Sequence, residues 1–167
     1  MPARSGLNWK LWAVLAVNRR ILTDTRADLF VTVFYGVIDA VTGALTYCNA
    51  GHNPPYLLST QNGGEERALT KTGMALGVIE DASWEQRTVQ LAPGDLLVLY
   101  TDGVTDAEDG QGAFFGEEWL LETARANLER PAQDVQDVLM AEIHSFVGDA
   151  PQFDDITLMI VKKEKSK

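Results

Sequence analysis

Short turns between strand-like runs constrain this chain more than any other feature of its sequence. Asp39-Ala40-Val41-Thr42-Gly43 separates the run from Asp28 to Asp39 from a second run, Ala44 to Ala50. Asn62-Gly63-Gly64 separates Tyr56 to Ser59 from Ala68 to Thr70, and Pro93-Gly94-Asp95 leads into the apolar stretch Leu96-Leu97-Val98-Leu99-Tyr100. Connections this short fold a chain back on itself as antiparallel hairpins, whereas parallel strands need a crossover of a dozen or more residues. The β-branched and aromatic residues Phe30, Val31, Val33, Phe34 and Val37 favour extended backbone. Gly51-His52-Asn53-Pro54-Pro55 interrupts the pattern, since two prolines cannot donate to a central sheet. After the glycine-flanked crossing Gly73-Met74-Ala75-Leu76-Gly77, Trp84 to Leu91 predicts a further strand.

Helical spacing occupies the two ends of the chain. Trp9, Trp12, Leu15, Ala16, Ile21 and Leu22 predict an amphipathic helix over Asn8 to Thr23. Trp119, Leu120, Val135, Val138, Leu139, Ile143 and Phe146 predict two more, Glu117 to Leu128 and Ala132 to Phe146, parted by Arg130-Pro131. Trp9, Trp12 and Trp119 are expected in the core rather than in a ligand-binding box. Gly148 ends the last helix, Asp154 to Lys162 predicts the final strand, and Lys162 to Lys167 is expected to fray. One helix, several antiparallel strands, two helices and a last strand make an α+β layout. With 167 residues, no internal repeat and no long linker, the expectation is one domain over residues 1–167.

Composition excludes several functions. Hydrophobic residues make up 46% and charged residues 23%, the balance of a chain that folds. The net charge of -10 repels a nucleic-acid backbone and an anionic membrane, and favours a cation or a protein with a basic face. The same acidity also serves simply to keep a domain soluble. Cys48 is the only cysteine, so no internal disulfide and no thiolate-rich zinc site can form. That usage suits a reducing cytoplasm, and Cys48, following Tyr47 in a strand-like run, is expected as a small buried apolar group rather than a nucleophile. No stretch is long and apolar enough to cross a bilayer. The apolar run Leu11 to Val17 meets Asn18, Arg19 and Arg20 without a small-residue cleavage site, so it is not a signal peptide.

The chemistry-bearing residues lie at strand ends. Asp102 closes the run Leu96 to Gly103, and Asp154 opens the run Asp154 to Val161. A carboxylate buried at the mouth of an apolar strand is costly unless something pairs with it, and a metal ion is one such partner. If the two strands are neighbours, Asp102 and Asp154 supply oxygen ligands to one hard cation, magnesium or manganese, which keeps several waters. The competing reading is that both aspartates start or cap turns. Gly103 lets backbone approach the site closely. His52, beside Asn53 in the loop after a strand, is a candidate to face the catalytic end and support the site from behind the ligands. A loop-stabilising hydrogen bond is expected of it rather than proton transfer, and His144 falls at a helix surface or boundary. Thr105 to Gly112, rich in Asp, Glu and Gly, predicts a mobile acidic loop, with Asp106 to Asp109 either a solvated turn or the border of a partner groove.

Six motifs occur in one order: Phe30-Val31-Thr32-Val33-Phe34-Tyr35-Gly36, Asn49-Ala50-Gly51-His52-Asn53-Pro54-Pro55, Leu91-Ala92-Pro93-Gly94-Asp95, Tyr100-Thr101-Asp102-Gly103-Val104-Thr105-Asp106-Ala107, Phe115-Gly116 and Phe153-Asp154-Asp155-Ile156-Thr157. Together they resemble the bacterial SpoIIE/RsbU branch of the metal-dependent PPM (PP2C-type) serine/threonine phosphatases, from Asn18 to the last strand. The resemblance implies an antiparallel β-sandwich with helices packed outside and a two-metal site at one end. It implies that a metal-bridging water attacks phosphoserine or phosphothreonine directly, with no phosphoenzyme. By motif, Asp102 and Asp154 would be ligands of one metal, Asp155 would support them from behind, and Asn18 would hold a neighbouring backbone group. The implied substrate is a phosphoprotein of the anti-sigma-factor antagonist (STAS) type, in partner-switching control of transcription or stress responses.

Relatives of this type also carry a Gly-Asp strand and an Asp-x-Ser-Gly-x-Gly turn that bridge both metals, and neither is found in this sequence. Met1-Pro2-Ala3 resembles the small-residue segment on the C-terminal side of that turn, so the expectation is a sandwich lacking its first strands, the C-terminal part of such a domain. Unpaired backbone groups along the resulting edge invite pairing with a second copy of the chain. The alternative function is a catalytically silent PP2C-like module that binds a phosphoprotein or regulatory partner.

Overall fold

The computed structural model describes residues 9–24, 29–61 and 64–164. Its elements are α1 (Trp9–Asp24), β1 (Val33–Ile38), β2 (Ala44–Ala50), β3 (Tyr56–Ser59), β4 (Glu65–Ala68), β5 (Arg87–Gln90), β6 (Leu96–Tyr100), α2 (Asp102–Thr105), α3 (Gly116–Ala126), α4 (Ala132–Val147) and β7 (Leu158–Lys162). They fall into two compact units, one of Met1–His52 and Thr70–Gln90, the other of Asn53–Leu69 and Leu91–Lys167. The predicted α+β layout is observed, with every strand pair in both sheets antiparallel. The Met1-Pro2-Ala3 segment, Asn8, Asp28, Asn62, Gly63 and the last three residues lie outside the described residues. No helix among the described residues is long and apolar enough to cross a membrane.

In the first unit β2 lies between β1 and β5. The β1–β2 hairpin closes because Asp39 Oδ1 accepts from the Val41 and Thr42 amides, at 2.9 and 3.1 Å, while Gly43 takes a positive φ of 82°. Leu11, Val14, Leu15 and Ile21 of α1 repeat at helical spacing and pack with Cys48, Ala50, Leu76, Ala82 and Trp84. Asn18 sits fully buried in the same stripe and, as expected, holds backbone: its Oδ1 accepts from Gly77 N at 2.8 Å and its Nδ2 donates to Ile79 O at 3.0 Å. Cys48 is buried, and burial pushes its thiol pKa up. Trp12 corrects the core expectation, being 52% exposed on the helix's other side.

Two strands are shorter than predicted. Ahead of β1, Val31 exchanges both backbone hydrogen bonds with Leu76, at 2.9 and 2.8 Å, instead of extending the β1–β2 ladder. Trp84 belongs to the loop before β5, where its indole N–H donates to Met74 O at 2.7 Å. That loop explains Gly73: a Cβ there would lie 2.3 Å from the Trp84 ring.

The second unit is a sheet in the order β4-β3-β6-β7. Gly64, at φ 87°, turns the chain so that Glu65 already faces Ser59, which places the returning strand earlier than the predicted Ala68 to Thr70. Leu58, Leu96, Val98 and Tyr100 form one core with Leu120, Leu121 and Ala124 of α3 and with Val135, Leu139 and Ile143 of α4. Lys162 Nζ donates to the Leu128 and Arg130 carbonyls in the turn that follows α3, tying β7 to the α3–α4 connection. Trp119 is 44% exposed rather than in the core; it stacks on Phe115, with ring centroids 5.5 Å apart, and meets Phe146 edge-on.

Candidate active site

The site begins with the register of two strands in the second unit. β6 pairs with β7 from Leu96↔Lys162 to Tyr100↔Leu158, so the residues after Tyr100 and those before Leu158 leave the sheet at the same end. Thr101 stitches them together. Its N–H donates to Thr157 O at 3.0 Å, its hydroxyl donates to Asp155 O at 3.0 Å, and the same hydroxyl accepts from Thr157 N at 3.0 Å. Thr101 is extended, with φ -93° and ψ 162°, and Asp102 then opens the single turn α2 instead of closing a strand. Gly103 is buried directly against the opposite segment: a Cβ there would lie 2.4 Å from Asp155 O and 3.4 Å from the Asp154 carbonyl carbon. Close backbone approach at Gly103 therefore puts Asp102 and Asp154 on adjoining segments.

Asp154 and Asp155 precede β7 rather than starting it, on an irregular stretch. Asp154 Oδ1 accepts from Asp155 N at 2.7 Å, and Gln152 Nε2 donates to Asp154 O at 2.7 Å. No described residue donates to the Asp102 carboxylate. Asp102, Asp154 and Asp155 are all exposed, which corrects the argument from buried charge: a carboxylate open to solvent carries no burial cost that requires a paired ion. Exposure leaves instead a pair of hard oxygen donors open to solvent. Magnesium and manganese suit such a pair, because they take one or two carboxylates and retain waters. Among the described residues no group of three or more His, Cys, Asp or Glu side chains is placed to hold a metal.

His52 belongs to the first unit, where its amide donates to Asn49 Oδ1 at 2.9 Å and its Nδ1 lies 3.2 Å from Thr32 Oγ1. Those are the loop-holding bonds expected of it. The loop after α2, predicted to be mobile, is a tied turn. Asp109 Oδ1 accepts from Gln111 N and Ala113 N at 2.8 and 2.9 Å, and Glu108 bridges Phe114. The Ala113 and Gln111 amides hold the Asp109 carboxyl below the usual carboxylate range. Behind this turn a cleft of about 290 Å³ is lined by Gly103, Asp106, Glu108, Phe114, His144, Phe153 and Asp154, among others.

One cluster carries no signal in the sequence. Glu117, in the first turn of α3, accepts from Tyr100 Oη at 2.7 Å and from Tyr56 Oη at 2.9 Å, clamping the helix to β6 just ahead of Asp102. Burial first, and then the Glu117 carboxylate, push Tyr56 up to about 12 and raise Tyr100 further. Sequence separations of 17 and 61 residues give no periodicity that would reveal the clamp.

The Stage II sporulation protein E (SpoIIE) family model matches residues 12–164. Protein IcfG of Synechocystis sp. is 38% identical over 151 residues, 89% of this chain and 23% of its own length. Phosphoserine phosphatase RsbU of Bacillus subtilis is 27% identical over 148 residues, 89% of this chain and 43% of its own length. This chain thus spans less than half the length of either relative. The SiaA-PP2C domain of Pseudomonas aeruginosa superposes with a TM-score of 0.75 at 24% identity, over 91% of this chain and 60% of that one, which shows a PP2C-like fold. On the match from residue 12 to residue 164, which takes in nearly the whole chain, the chain belongs to the SpoIIE family.

Proposed function

We propose that this chain hydrolyses phosphoserine or phosphothreonine on a protein, with Asp102 and Asp154 holding manganese or magnesium. The observation that carries the reading is the contact of Gly103 with the Asp154–Asp155 backbone, which joins the two carboxylate-bearing segments at one end of the β6–β7 ladder. Thr101 fixes both segments through its backbone and hydroxyl, so the carboxylates are held by the sheet rather than by a free loop. Their exposure leaves room for a phosphoryl group carried on a large partner. A bound divalent cation would neutralise charge on the phosphoryl oxygens and lower the pKa of the attacking water. Asp155 supports the arrangement through its main chain, which accepts from Thr101 and abuts Gly103.

The name of the relative RsbU supports phosphoserine as the target, and a phosphorylated anti-sigma-factor antagonist of the STAS type is the substrate we propose. Because the family match runs through both compact units, we take residues 1–167 as one phosphatase-type domain acting in the cytoplasm. Phosphate release from a phosphoserine peptide with manganese present tests this. The expected result is manganese-dependent release that falls at least about a hundredfold in Asp102→Asn, a loss of about 3 kcal/mol in transition-state stabilisation. No release from the wild-type chain would leave a silent binding module.

A further inference from the structure

We propose that the cleft beside Asp154 docks the polypeptide flanking the phosphorylated residue, and that this segment carries a basic and an apolar side chain; the inference rests on the phosphatase reading. The cleft, of about 290 Å³, lies within the second unit and has Gly103 and Asp154 in its wall, so it opens next to the proposed metal ligands. At that volume it falls just below the range of drug-sized pockets and suits one or two side chains rather than a whole small ligand.

Two features define the occupant. Phe114 is 63% exposed and Phe153 74% exposed, both lining this cleft, and Ile156 and Val147 continue the apolar surface between them. Large apolar side chains left in water and rimmed by polar groups mark a surface that a protein covers. The rim is anionic: Asp106, Glu108 and Asp154 line the cleft and, among the described residues, no lysine or arginine does, His144 being the one side chain there that can become cationic. The rim therefore repels a phosphate and attracts a basic side chain. A phosphorylated substrate resolves this opposition only if its phosphate sits at the metal and the cleft takes the flanking residues. A basic residue would then meet Asp106 and Glu108 while an apolar neighbour packs on Phe114 and Phe153.

Fluorescence anisotropy tests the assignment without relying on turnover. Two short fluorescein-labelled phosphoserine peptides are compared, one with arginine and leucine beside the phosphoserine, the other with glutamate and leucine. The arginine peptide is expected to bind at least about tenfold more tightly. Glu108→Gln is expected to weaken the arginine peptide about fivefold and not the glutamate peptide, whereas Phe153→Ser is expected to weaken both peptides about fivefold, since both carry the leucine. Both residues are on the cleft surface, and circular dichroism confirms that the variants fold. Equal affinity for the two peptides, or unchanged binding by both variants, overturns the proposal. Preference for the arginine peptide without phosphate release would retain the docking cleft and reject the phosphatase reading; release without preference would do the reverse.

Discussion

The α-carbon of Gly103 faces the Asp155 carbonyl so closely that an added methyl group would lie 2.4 Å from the oxygen. A contact that short is with main chain, which cannot rotate away as a flexible side chain would. Gly103→Ala is therefore expected to cost about 1–3 kcal/mol through overpacking and to push the Asp154–Asp155 segment outward. Urea denaturation should show a lower midpoint, and manganese affinity should fall with it; an alanine variant as stable as wild type would contradict the packing.

Thr101 offers a milder perturbation of the same junction. Thr101→Val keeps the shape but removes the hydroxyl that donates to Asp155 O and accepts from Thr157 N. A loss of about 1–2 kcal/mol is expected, restored in large part by Thr101→Ser, with manganese affinity following the hydroxyl. Equal affinity for the valine and serine variants would show that the hydroxyl does not position the ligands.

The Glu117 clamp gives a pH dependence. Tyr56 is pushed up to about 12 from an ordinary value near 10, so between these pH values the folded chain keeps a proton that the unfolded chain has lost. Its stabilising contribution is complete below about pH 10 and is lost as pH rises through 12. Tyr100 is raised as well and adds in the same direction. Alkaline unfolding monitored at several pH values should show stability falling across this window, and Glu117→Gln should make it fall less steeply, since the coulombic part of the shift is gone. A Glu117→Gln variant with the wild-type profile would contradict the clamp.

Asn18 is expected to be worth more than its polarity suggests. It is fully buried and satisfies the Gly77 amide and the Ile79 carbonyl. Asn18→Ala would strand both backbone groups and should cost about 3 kcal/mol, measured as a lower thermal midpoint. A midpoint within experimental error of wild type would show that water replaces the side chain.

Much of this is legible in the sequence because local rules and tertiary packing agree. Asp39 to Gly43 encodes a hairpin, and Leu15 and Ile21 mark a helix stripe that packs on the core, since turn chemistry and the helical repeat are written within a few residues. The ordered motifs reveal the family, which spacing alone does not. Strand limits are harder to read. Val31 has the same β-branched character as Val33, yet it pairs with Leu76 across the chain, and no window around Val31 contains that partner. Helical spacing predicts Trp12 and Trp119 inside because it marks a stripe but not how far the stripe is covered. Strand periodicity likewise says nothing of solvent, so Asp102 and Asp154 read as buried charges although both face water. The Tyr56–Glu117–Tyr100 cluster has no signal at all, since it is made by folding three distant segments together.

Calorimetric titration of manganese into the wild-type chain, Asp102→Ala, Asp154→Ala and the double variant tests the shared site most directly. If both carboxylates hold one ion, each single variant should bind at least about tenfold more weakly, and the double variant should lose less than the sum of the two losses, the mark of coupled residues. Affinity unchanged in both single variants, or two losses that add independently, would contradict a common ion between Asp102 and Asp154.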